Sequence, residues 1–253
     1  MAIMVVTGRG GVGKSTFAAL AIKHFAEKGG GRILAVDADP DTSLAEMLGV
    51  DLEAAGIRTI SDLLYDIKKK KVSDSVGNLP FTEQVEYLFH NEFYESKKFD
   101  LVALGTKWDR GCYCSANNTL RSIMEGLVNG YDYVVVDSPG GLEHLNRKLF
   151  SDVDAIIQIV DASKKARANL DRSRVILGEV GVTFKYVYVV AGAGVPESME
   201  EKLTGTGSAE YLGRIPDDEA VMAANMNGDS LLDLPADSPA VRAVSEILKK
   251  TEL

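Results

Sequence analysis

The stretch that most limits the fold lies at the start of the chain, "IMVVTGRGGVGKSTFAALAIKHFAEKGG". Residues 3–8 form an apolar run. Residues 8–13 then carry glycine at Gly8, Gly10, Gly11 and Gly13, broken by Arg9 and Val12. "STFAALAIKHFAEKG" follows with helical spacing and stops at glycines. A strand that enters a helix through so short a loop must cross back over its sheet, which predicts a parallel neighbour. Glycines also let successive backbone N–H groups turn inward, and the helix start adds partial positive charge. The loop is therefore built to cradle an anion such as phosphate.

The same alternation runs through the 253 residues. Further strands are expected at 33–39, 100–105, 133–139, 155–161, 187–192 and 211–216, most of them continuously apolar, as for parallel strands covered on both faces. With helices between them, this predicts an α/β chain with a doubly wound, mostly parallel sheet and a single domain over 1–253. Residues 51–99 fit the rhythm least. They are polar, carry a lysine run at 68–71 that reads as a solvated helix face, and are expected as helices and a loop at the sheet's edge. Residues 225–239 read as loop. "SPAVRAVSEILKK" reads as a capped last helix packed on the sheet, without the strong apolar face of a membrane-surface anchor.

Gly8 to Thr16 matches G-x-x-x-x-G-K-[ST] between a strand and a helix, the context that gives the match meaning. Gly8, Gly10, Gly11, Val12, Gly13 and Thr16 would supply the cradle. Lys14 would neutralise the β and γ phosphates, and Ser15 would offer its hydroxyl to Mg2+. Two more apolar runs end in acids. Asp137 closes "YVVVD", where a carboxylate reaches Mg2+ through water, and "SPGG" after it can hinge. Asp37 and Asp39 stand two apart in "VDADPD", so an extended backbone would set both on one face at the carboxyl end of the sheet, where ligands collect. The competing reading, a cap for the helix near Ser43, suits Asp41 better than Asp39.

The glycine loop also resembles the deviant Walker A form of the ParA, MinD and nitrogenase-iron-protein class, in which a lysine follows the first glycine. Arg9 stands there in this chain. The resemblance implies ATP as the nucleotide and a residue at position 9 that crosses a dimer interface to the partner's nucleotide, which arginine can do electrostatically. A surface arginine without that role is the alternative. The resemblance further implies that Asp39 positions or activates the attacking water, that Asp37 supports the magnesium shell, and that Pro216 in "GRIPDD" lies against the base. The asparagine usual after the sixth strand is absent from "VVAGAGVP".

The only cysteines, Cys112 and Cys114, are one residue apart in "GCYCSA". If the tripeptide is extended, both sulfurs leave on one side, suited to gripping one ion. Buried small hydrophobes are the bland alternative, which the polar surroundings "DRGCYCSANN" disfavour. With "GRGGVGKST", "VDADPDTSL", "VVVDSPGGLEHL" and "IPDDEAV", this segment resembles the CooC-type ATPases, nickel-handling maturation factors of carbon monoxide dehydrogenase. That resemblance implies a homodimer in the ATP state, four thiolates shared across it for Ni2+ or Zn2+, and a client metalloenzyme like carbon monoxide dehydrogenase. His144 is the nearest further ligand in sequence, although an ordinary histidine is the simpler reading there as at His24 and His90. A [4Fe–4S] electron-transfer protein is a second reading, and a MinD- or ParA-like positioning ATPase a third.

The formal charge of −9 argues against nucleic acid, and no apolar run approaches the roughly 20 residues that cross a bilayer. With no signal-like start and two close thiols, the cytoplasm is the expected compartment.

Overall fold

The computed structural model describes residues 1–29, 31–69, 74–90, 92–105, 114–140, 150, 152–163, 182–203 and 209–253, of which 74–75, 114–120 and 201–202 are described as backbone. Strand β1 (Ala2–Gly8) feeds α1 (Lys14–Lys28), then β2 (Ile33–Asp37) and the short α2 (Ser43–Met47). The polar stretch holds α3 (Ile60–Lys68), α4 (Asp74–Gly77), α5 (Phe81–Phe89) and β3 (Tyr94–Glu95). Next come β4 (Asp100–Ala103), α6 (Cys114–Val128), β5 (Tyr133–Asp137), β6 (Asp152–Val160), β7 (Thr183–Ala191), β8 (Glu210–Arg214), α7 (Glu219–Asn227) and α8 (Pro239–Leu248).

The strands form one sheet in the order β3-β4-β2-β5-β1-β6-β7-β8. Every pair is parallel except β3 with β4. Strand residues alternate between two cores. Met4, Val6, Ala35 and Val135 face a layer built from α1, α2, α7 and α8. Ile3, Val5, Val36 and Val136 face a layer built from α3, α5 and α6. This is the doubly wound arrangement, and it explains why the strands read as unbroken apolar runs: both faces are dry. Each fully buried aliphatic side chain contributes roughly 1.5–3 kcal/mol.

Strand order decides where a ligand can sit. From β1 the chain moves outward to β2 and β4 and returns to β5. It then passes β1 to lay down β6, β7 and β8 on the other side. The direction reverses beside β1, so the crevice of the sheet opens at the carboxyl ends of β1 and β5.

Some local expectations are corrected. The strand β3 was not foreseen, because two residues in a polar stretch carry no periodic signal. Residues 225–239 are not all loop: α7 continues to Asn227 and ends at Gly228 in the left-handed conformation, and Leu231–Asp233 form a 3-10 turn begun by Ser230. The last helix, α8, packs on the body of the protein as expected, with Ala240, Val241, Val244, Ile247 and Leu248 buried. They are turned inward against α1 and β8. Its start is capped as expected, Ser238 Oγ accepting from Val241 N. Among the described residues no helix is long and apolar enough to cross a membrane.

Candidate nucleotide site

The glycine loop spans the carboxyl end of β1 and the start of α1, over the crevice. Gly11 and Gly13 have φ of 76° and 94°, which only glycine adopts without strain. Two neighbouring strands pack so tightly on the loop that side chains are excluded. A Cβ on Gly8 would stand 2.4 Å from the Ile159 carbonyl oxygen of β6, and one on Gly192 would stand 2.2 Å from the Val12 carbonyl oxygen. The loop is thus wedged between the ends of β6 and β7. Gly10 has open space where a Cβ would lie, and Gly140 approaches the Gly10 amide from the β5 side.

Lys14 begins α1 and is almost wholly buried. Its Nζ reaches back to the Arg9 carbonyl oxygen at 3.3 Å, across the concave side of the loop. Ser15 follows, half-buried, and the Thr16 hydroxyl turns to Met47 Sδ at 3.9 Å. Beside them Asp137 ends β5 with no exposed surface. Neither of its carboxylate oxygens has a hydrogen-bond partner. Burial pushes its carboxyl up to about 6, while the Ser15 hydroxyl and the Lys14 ammonium nearby pull the other way. The described residues hold three buried side-chain oxygens without a partner, the third being Thr7 Oγ1. Two of the three lie on one strand-end carboxylate, an arrangement that a divalent cation would satisfy.

Asp37 lies directly across from Asp137 in the parallel register of β2 and β5. Its two oxygens are occupied. Oδ1 accepts from Asp39 N at 3.2 Å and Oδ2 from Ala45 N at 3.0 Å. Burial, offset by these two bonds and reinforced by the charge of Asp137, raises it to about 7. The expected pairing of Asp37 and Asp39 on one extended face is not what forms: the strand ends at Asp37, the chain bends at Asp39, and Asp39 sits half-buried beyond the strand end. Asp37, not Asp41, satisfies an amide of α2. Asp39 Oδ1 accepts from Asp41 N at 3.1 Å, which holds its carboxylate at the rim.

Arg9 is half exposed. Its Nη1 donates to Asp161 Oδ2 at 3.0 Å and to Ser163 Oγ at 3.4 Å. Asp161 directly follows β6, and nothing in the sequence reading singled it out. The signal was there, since "IIQIVD" is a third apolar run that ends in an acid at the carboxyl edge. Pro216 is half-buried and borders a cleft between α1 and α8 shared with Leu20, His24 and Pro239. The α1 residues of that cleft start six positions past Lys14, about 9 Å along the helix. Pro216 therefore flanks α1. His24 is lowered by burial and by Lys28 and Lys249. Cys112 and His144 lie outside the described residues. Cys114 is the first residue of α6, so the Cys-x-Cys segment is not extended throughout.

The residues present fit a magnesium nucleotide. Mg2+ takes one or two carboxylates, waters and phosphate oxygens rather than a protein cage, and Asp137 offers unpartnered oxygens next to Ser15 and Lys14. Among the described residues no cluster of three or more His, Cys, Asp or Glu could hold a metal by itself.

Comparison with known proteins agrees with this geometry. The AAA domain family matches residues 1–174. The chain belongs to that family. An uncharacterized ATP-binding protein of Methanocaldococcus jannaschii is 36% identical over 253 residues, covering 98% of this chain and 97% of the relative. The carbon monoxide dehydrogenase accessory protein CooC of Rhodospirillum rubrum is 25% identical over 245 residues, 94% of this chain and 91% of that protein. Among solved structures, the septum site-determining protein MinD of Pyrococcus horikoshii, complexed with Mg-ADP, superposes with a TM-score of 0.70 at 18% identity, covering 99% and 96%. Its fold is the one seen in that MinD structure and in a ParA family ATPase of Chlorobium tepidum, which superposes with a TM-score of 0.72 at 15% identity.

Proposed function

We propose that the chain hydrolyses ATP in a site completed by a second copy of itself, and that this cycle controls a metal cargo on Cys112 and Cys114. The observation that carries the ATPase part is the buried, unpartnered Asp137 carboxylate beside a lysine folded onto its own loop. With a nucleotide present, Lys14 exchanges the neutral Arg9 carbonyl for anionic phosphate oxygens, so that both donor and acceptor are charged. Backbone N–H groups of Gly10 to Lys14 cradle the phosphates, and Asp37 and Asp137 supply the negative charge that favours Mg2+. Magnesium, when bound, neutralises the phosphate oxygens and fixes their arrangement. Asp39 at the rim orients the attacking water, and Arg9 reaches toward the partner's phosphates, where charge develops.

The cargo part is supported by two thiols one residue apart in polar surroundings and by similarity to CooC along nearly the whole chain. Two copies related by a two-fold axis bring four thiolates together, a set suited to Ni2+ or Zn2+ and delivered to a metalloenzyme such as carbon monoxide dehydrogenase. Nickel is the substrate here rather than a resident cofactor. The test is an anaerobic Ni2+ titration of reduced protein with and without Mg-ATP, followed by thiolate-to-nickel absorbance. Saturation at one metal per two chains, lost in Cys112→Ala while nucleotide still binds, is the expected result. Unchanged nickel affinity in Cys112→Ala refutes the shared site.

A further inference from the structure

We infer that Asp161 is a positioning residue that latches Arg9 within its own subunit, so that nucleotide-driven pairing of two chains must first break this contact. The inference rests on the proposed role of Arg9 across the dimer and adds the element that opposes it. Arg9 Nη1 lies 3.0 Å from Asp161 Oδ2, and the acceptor is held in place beforehand, because Asp161 Oδ1 accepts from Ser163 N at 2.9 Å. Ser163 Oγ adds a longer contact to the same nitrogen at 3.4 Å. The register of the sheet brings the two together. Gly8 pairs with Ile159, so the residues leaving β1 and β6 run side by side past the carboxyl edge. An arginine lying along its own β6 loop cannot at the same time extend outward to a partner's phosphates.

The latch is of the right strength for a switch. An ion pair with its side chains 50% and 35% exposed is worth at most about 1 kcal/mol, or about fivefold in an equilibrium. Mg-ATP in a partner chain offers a far stronger anion, so it can win. In a two-fold dimer both latches open together, and the effect on the dimerisation constant is squared. Removing the latch should therefore tighten dimerisation by about two- to twenty-five-fold, given about 1.4- to fivefold per site. The carboxylate also sets the order of events. A chain without nucleotide keeps its arginine at home and does not pair unproductively.

The test is sedimentation velocity across a range of protein concentrations, with Mg2+ and a non-hydrolysable ATP analogue. It compares wild type, Asp161→Asn, Arg9→Ala and the double variant. Asparagine retains the turn with Ser163 N, and Asp161→Ser serves if it does not fold. Asp161→Asn should dimerise more tightly than wild type, by about two- to twenty-five-fold, and the gain should vanish in the Arg9→Ala background. If Arg9→Ala dimerises and hydrolyses as wild type does, the trans role of Arg9 fails and the latch with it. If Arg9→Ala is impaired but Asp161→Asn matches wild type, the trans role stands and the latch is wrong. A gain from Asp161→Asn that persists without Arg9 also refutes the latch.

Discussion

Replacing Asp137 by asparagine should stabilise the empty protein while disabling its site. The carboxyl is fully buried without a partner and raised from 3.8 to about 6. A carboxylate raised in this way is held at no penalty below its unfolded value near 4. Stability is lost as pH climbs through about 6, because the folded state must then bury the charge. The shift of about two units corresponds to about 3 kcal/mol. Asparagine has the same shape and never ionises, so at pH 8 it recovers roughly that amount, a rise of roughly 6–12 °C in a chain of this size. At pH 4 the two proteins should melt together. The assay is thermal unfolding of nucleotide-free, chelator-treated protein at both pH values. Adding saturating Mg-ATP should reverse the order, since wild type gains binding free energy that the variant has lost. An Asp137→Asn protein that melts lower than wild type at pH 8 without metal would refute the reasoning, because the carboxylate would then be making a contact that stabilises the fold.

Other perturbations test the same site from different sides. Gly192→Ala drives a Cβ into the Val12 carbonyl oxygen, so the phosphate loop must shift. Nucleotide affinity by calorimetry should fall at least tenfold while the fold, followed by circular dichroism, survives. Lys14→Ala should abolish nucleotide binding in the same experiment, and retained affinity would show that the buried ammonium serves packing alone. Mg2+-dependent nucleotide binding should strengthen as pH rises from 5.5 to 8, because Asp37 and Asp137 lose protons near 7 and 6, and a flat profile would contradict the raised carboxyls.

The site was legible where chemistry coincides with a strand end. The glycine loop, Asp37 and Asp137 could be placed because each closes an apolar run, and parallel strands deliver their carboxyl ends to one edge. Two things were hidden for a physical reason. Asp161 meets Arg9 only because β6 lies beside β1, a neighbour relation between residues 152 positions apart that local periodicity cannot reveal. Asp37 meets the amide of Ala45 because the chain bends and turns over residues 39–41, which defeats the alternation used to pair it with Asp39. The last helix was legible as one packed on the sheet, and its five buried positions lie against α1 and β8. The strand β3 is too short for any pattern, and its place is fixed by pairing with β4.

The most direct measurement is steady-state ATP hydrolysis per chain as a function of protein concentration, with Mg2+ and saturating ATP. A site completed by a second copy predicts turnover per chain that rises with concentration to a plateau and is absent in Lys14→Ala. Turnover that is independent of concentration, or that survives in Lys14→Ala, would contradict it.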